Sequence, residues 1–215
     1  MTDVVIRPLR FSADVDAMRA FLETVGLTAR IESERGGWAV MLAGQGMIAL
    51  HDAATSSTGG RPGQTVLVFE AENLDALKAE LESAGYTDVS IWDEAYGRVL
   101  SAIAPSGPKL QVDERPDDLY GYRLNETRPD ERWTVTPHLS GAGGSGWRQI
   151  LDLLETKQTV YFGAGEEYAV RMDLSTTEDL DAVLRRLTSA GYQASRNADT
   201  LEVVDPDGQA LVVHG

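Results

Sequence analysis

One helical segment occurs three times in this chain, and that repetition restricts the possible folds more than any other feature. Residues 15–27, VDAMRAFLETVGL, align without gaps to 74–86, LDALKAELESAGY, and to 180–192, LDAVLRRLTSAGY. A chain that repeats one supersecondary unit folds by stacking or pairing copies of it, so the repeat is settled before single residues are weighed. In the second copy Leu74, Leu77, Leu81 and Ala84 fall on one helical stripe, suited to lying across a sheet. Gly26, Gly85 and Gly191 stand where each helix should stop. Packing and capping account for the repeated residues, which are scaffold.

Each helix sits in a larger pattern. Alternating apolar segments precede it at Val4 to Leu9, Thr65 to Ala71 and Tyr168 to Leu174, and these have strand character. Short β-rich runs follow it, ending in Met47 to His51, Lys109 to Asp113 and Ala210 to His214. The last two strands follow the turns Pro105-Ser106-Gly107 and Pro206-Asp207-Gly208. The unit is therefore βαβββ and about fifty residues long.

A polar stretch at 116–130 reads as a linker. Beyond it, Trp133 to Leu139 is expected as a strand, Trp147 to Glu155 as a helix, and Thr159 to Phe162 as what remains of the later strands of a shortened unit. The expected organisation is a first domain at 1–115, holding units 1–55 and 64–115, and a second, partly degenerate domain at 131–215. The fold class is α+β, with paired units curling mixed sheets around a cleft and helices on the outer face. The glycine-rich run 141–146 leads from strand to helix, but Trp147 and Arg148 stand where a phosphate loop needs lysine and a hydroxyl. It reads as a flexible connection.

Tandem βαβββ units with a Leu-Asp-Ala helix, a glycine stop and a Pro-Asp-Gly turn resemble the vicinal oxygen chelate superfamily. That group includes glyoxalase I, extradiol dioxygenases, and the fosfomycin- and bleomycin-resistance proteins. The segments 69–76, FEAENLDA, and 205–211, DPDGQAL, carry the resemblance. It implies units paired around a cleft, with enzymatic members holding a divalent metal on the first and last strands, through His or Gln and Glu. Carried onto this chain, those positions fall on Arg7 and Val66 in the first strands, and on Ala49, Gln111 and Val212 in the last. Arginine is a permanent cation, and valine and alanine offer no donor atom.

Strand alternation then names the side chains expected to face a cleft. In the first pair these are Arg7, Ala49, His51, Val66, Val68, Gln111 and Asp113, with Ile6, Ile48, Leu50, Leu67, Phe69, Leu110 and Val112 in the core. Arg7, His51, Gln111 and Asp113 would orient a ligand; equally, Arg7 and Asp113 would pair to close the sheet, and His51 would end a strand in solvent. Trp38, Trp92 and Tyr96 offer stacking surfaces. In the second pair His138, Arg171 and His214 are the candidates, for an anion or a metal.

Composition removes several function classes. The chain has 215 residues and no cysteine, so thiolate nucleophiles, thiolate metal sites and disulfides are out. A formal charge of −15 without a Lys/Arg cluster argues against nucleic acid. Apolar runs such as 66–69 are of strand length, and the N-terminus lacks the pattern of a secretory signal, so a cytoplasmic protein without membrane attachment is expected. No nucleophile–base pair stands out, and Asp117-Asp118 and Glu166-Glu167 read as solvated loop charge.

The function expected is metal-independent binding of a small organic ligand, cationic or aromatic, by a monomer or homodimer with no catalytic residue and no cofactor. One alternative is a metal-dependent lyase or dioxygenase with a displaced histidine site, the reading under which a divalent metal is bound. The other is a structural or interaction module whose clefts have closed.

Overall fold

The computed structural model describes residues 3–94, 97–115, 121–141 and 143–215. The first module comprises β1 (Val4–Ile6), β2 (Leu9–Ser12), α1 (Val15–Val25), β3 (Thr28–Ser33), β4 (Trp38–Leu42) and β5 (Met47–Asp52). The second comprises β6 (Thr65–Val66), β7 (Phe69–Ala71), α2 (Leu74–Ser83), β8 (Thr87–Glu94), β9 (Gly97–Ile103) and β10 (Lys109–Glu114). After β11 (Tyr122–Leu124) come β12 (Trp133–Ser140), α3 (Gly144–Leu153) and β13 (Tyr161–Gly163). The last module is β14 (Ala169–Thr176), α4 (Leu180–Ser189), β15 (Ala194–Asn197), β16 (Thr200–Val204) and β17 (Ala210–His214).

The repeat is carried into the sheets. Strand order is β2-β5-β4-β3, β7-β10-β9-β8 and β14-β17-β16-β15 in the three complete modules. In each, the strand before the helix lies parallel to the last one, and the remaining pairings are antiparallel. The class is α+β with mixed sheets. Helices α1, α2 and α4 begin where short polar side chains cap them: Asp14 accepts from the Ala17 amide, Asn73 from Ala76 and Asp179 from Asp181.

Contacts gather the chain into two compact units. The first contains Met1–Arg7, Leu67–Asp118 and Leu139–Ala169; the second contains Pro8–Val66, Leu119–His138 and Val170–Gly215. The grouping follows the packing of modules distant in sequence, whereas the expected division ran sequentially at 1–115 and 131–215. In the second unit the core joins Met18, Phe21, Leu22 and Val25 of α1 to Val183 and Leu187 of α4, with Trp133 fully buried among them. Gly26 ends α1 at φ +140°, and a Cβ there would lie 2.4 Å from the Trp133 indole nitrogen. The repeated glycine thus serves both the helix stop and the close packing of that ring.

The expected strands at Val4 to Leu9 and Thr65 to Ala71 are each broken in two. β1 pairs with β7 in the first unit, and β2 pairs with β6 in the second, so the chain changes sheets at Arg7-Pro8 and at Leu67-Val68. Val68 is buried, consistent with its place in this break and not on an open strand face. In the first unit the side-chain amide of Gln158 pairs with both backbone groups of Ile6, extending the hydrogen bonding of β1. Part of the expected linker is structured: β11 pairs antiparallel with β3. The shortened third unit keeps its strand and helix, the helix starting earlier than expected, at Gly144.

Candidate ligand sites

In the first unit Arg7, at the break after β1, donates to Asp113 on β10 and lies 3.6 Å from Glu70 on β7. Asp113 and Glu70 are neighbours because β7 and β10 run parallel in register. Gln111, two residues back on the same face, donates its amide to Asp113 at 3.3 Å. Arg7, Asp113 and Glu70 are shielded from water, so the carboxylates are compensated by a guanidinium already in place. Burial pushes the Asp113 carboxyl above the ordinary range, and the Arg7 charge acts against that rise.

A second buried arginine serves the second unit. Arg10 on β2 donates to Asp205, stands 3.8 Å from Asp207 and reaches Thr65 at 3.3 Å. Asp205 in turn accepts from the Asp207 and Gln209 amides, building the Asp-Pro-Asp-Gly turn around its carboxylate.

The third cluster holds every residue named for the second pair. His138 on β12, Arg171 on β14 and His214 on β17 converge on Asp173, a buried carboxylate that alternation also places on the Arg171 face. Arg171 donates to Asp173 at 3.2 Å, and ring nitrogens of His138 and His214 each lie 3.5 Å from the other carboxylate oxygen. The Arg171 guanidinium also meets Nδ1 of His138 at 2.7 Å. A guanidinium only donates, so in this contact Nδ1 is the acceptor.

The remaining residues are placed apart. His51 belongs to the second unit, where its ring packs edge-on against Trp38 at 5.7 Å and beside Phe11 at 5.9 Å. Its Nδ1 lies 2.7 Å from the Asp52 carbonyl, so it is tied to its own strand end. It does not join Arg7, Gln111 and Asp113 within the first unit. Trp92 is exposed on β8, its indole donating to Glu94 at 2.6 Å. Tyr96 and Asp117-Asp118 lie outside the described residues. Sequence reading missed Asp173, Glu70, Arg10 and the buried role of Asp205.

Solved structures match this architecture over nearly its whole length. A Mn(II)-bound glyoxalase from Novosphingobium aromaticivorans superposes with a TM-score of 0.60 at 15% identity, covering 99% of this chain and 82% of that one. Homoprotocatechuate 2,3-dioxygenase from Arthrobacter globiformis gives 0.61 at 11% identity, covering 100% and 79%. A 2,2',3-trihydroxybiphenyl 1,2-dioxygenase from Sphingomonas wittichii gives 0.60 at 13%, covering 98% and 88%. The chain has the vicinal oxygen chelate fold. No protein-family model matches the sequence, and no curated protein does.

Within the vicinal oxygen chelate fold, the resemblance implies a divalent metal on first and last strands, and the residues present here fit one poorly. Arg171 puts a permanent positive charge against the His138 lone pair that a metal would need. Arg7 does the same to Asp113. Among the described residues, no group of three or more His, Asp or Glu side chains is arranged to hold a metal ion. No described helix is long and apolar enough to cross a membrane.

Proposed function

We propose that this chain binds a small organic molecule without a metal ion, for sequestration or sensing. The supporting observation is Arg171, whose guanidinium engages both His138 and Asp173 where a metal would need open donors. Arg7 stands likewise against Asp113 and Glu70. Within its own unit, each cluster offers fixed charge and hydrogen-bonding direction of the kind that orients a small ligand. Gln111 adds an amide, and His51 with Trp38 adds an aromatic surface in the second unit. The charge of −15 draws cationic molecules toward the protein and so favours a cationic ligand, while the Trp38–His51 surface suits an aromatic one.

A thermal-shift screen of metabolites and antibiotics, with and without divalent metals, tests this reading. Binding to the native state raises its stability by mass action, so one compound should raise the melting temperature by several degrees with chelator present. A shift that appears only with metal would favour the lyase or dioxygenase reading, for which the meeting of two imidazoles on Asp173 is the supporting observation. No shift across the panel would favour a structural module.

A further inference from the structure

A cavity of about 290 Å³ lies within the first unit, between the end of β12, the first turns of α3, and β13. It shares no residue with the arginine clusters. Ser140, Ser145, Trp147, Arg148, Phe162 and Tyr168 line it. We propose that this cavity is a binding site for an aromatic monocarboxylate.

Three aromatic rings, Trp147, Phe162 and Tyr168, stand among mostly small and polar lining residues. Trp147 is buried between Phe69, at 6.4 Å and 21° between planes, and Tyr168, at 5.8 Å and 15°. Tyr168 ends that stack and keeps 41% of its surface exposed, and so offers a π surface that the stack has not used. The Arg148 Cζ lies over the Phe162 ring, 3.8 Å from its centroid, which keeps the guanidinium beside the cavity. Arg148 is exposed, and among the described residues no carboxylate is paired with it, in a chain with 34 acidic and 19 basic side chains. A flat guanidinium matches a carboxylate with two parallel hydrogen bonds.

The backbone leaves room for the ligand. Gly141 adopts φ +90°, and a Cβ there would fall 1.9 Å from the Glu167 carbonyl oxygen, so the 163–167 segment closes directly onto the strand end. Gly144 is different: a Cβ there would meet Phe162 at 3.6 Å, an ordinary contact. A longer side chain at 144 would therefore extend along the Phe162 wall. The α3 N-cap is Gly143, which supplies no side-chain cap, so the first-turn amides add to the attraction of an anion already drawn by Arg148. The volume suits one or two fused rings, at the lower end of ligand pockets.

Isothermal titration with 2-naphthoate tests the site. The wild-type chain should bind one equivalent in the sub-millimolar range, and neutral 2-naphthalenemethanol should bind about tenfold more weakly. Arg148→Gln, at an exposed position, should lose about tenfold in affinity for the carboxylate and none for the alcohol. Gly144→Leu should block both ligands, with near-UV circular dichroism reporting whether it folds; Arg148→Gln carries the test if it does not. No saturable binding by the folded wild type, or equal binding by Arg148→Gln, would overturn the proposal. Neither outcome bears on the Arg7 and Arg171 clusters, which the thermal-shift screen reports separately.

Discussion

At the scale of the residue, buried arginines organise the charge of this protein. Arg7 and Arg10 lie against Asp113 and Asp205, all largely removed from water. Such a pair is costly to desolvate, and its net contribution to stability is small; what it forbids is the loss of one partner. Arg7→Met should therefore destabilise the fold by about 3–5 kcal/mol in urea denaturation at neutral pH, because Asp113 is left buried without its cation, whereas Glu70 keeps Arg115 at 3.2 Å. Arg7→Met with Asp113→Leu should recover much of that loss. The penalty of the single variant should also shrink on acidification. Burial already raises the Asp113 carboxyl, and without Arg7 it rises further, so protonation relieves the charge as pH falls through that value. An Arg7→Met penalty independent of pH would contradict this role.

At the scale of the element, one side chain adds hydrogen bonds to the apolar packing of helices α1 and α4. Arg186 on α4 donates to the Thr24 carbonyl at 2.7 Å and to the Val25 carbonyl at 2.6 Å, satisfying acceptors at the end of α1. Glu178 holds that guanidinium at 2.6 Å. The Arg186 hydrogen bond keeps the Glu178 carboxyl below the ordinary range, despite the opposing effect of burial. A carboxyl depressed in the fold contributes stability above its unfolded pKa and loses it as pH falls through the folded one. Glu178→Gln should cost about 1.5–3 kcal/mol at pH 7. Its melting temperature should fall less steeply than wild type below about pH 4.5. Parallel acid curves would rule out this linkage.

The same elements show what local sequence carries. The helices and the closing strands were legible because a 3.6-residue stripe or a two-residue alternation is complete within a dozen residues. His138, Arg171 and His214 were found together for that reason: alternation gave each its face. Asp173 was open to the same argument, two residues from Arg171 in a buried strand, and only its surroundings of Met172 and Leu174 disguised it. The breaks at Arg7-Pro8 and Leu67-Val68 were not legible, because they depend on β1 meeting β7 and β2 meeting β6 across some sixty residues. The assignment of Arg7 and His51 to different units follows from those breaks. β11 lay hidden in a polar stretch because its strand character comes from pairing with β3.

At the scale of the whole molecule, a vicinal oxygen chelate fold carries guanidinium groups against buried carboxylates and an imidazole, groups of the kind that bind metal ions when left open. Arg7 on Asp113 and Arg171 on Asp173 and His138 repeat this in the two compact units. The fold is shared with a glyoxalase and with dioxygenases, and the chemistry has to be argued from these side chains. The most direct measurement is metal content after incubation with excess Mn(II), Fe(II), Ni(II) or Zn(II) and gel filtration, read by mass spectrometry of the elements. The arginine arrangement predicts a small fraction of one equivalent with each metal, unchanged in Asp173→Ala. One equivalent per chain that is lost in Asp173→Ala would contradict it.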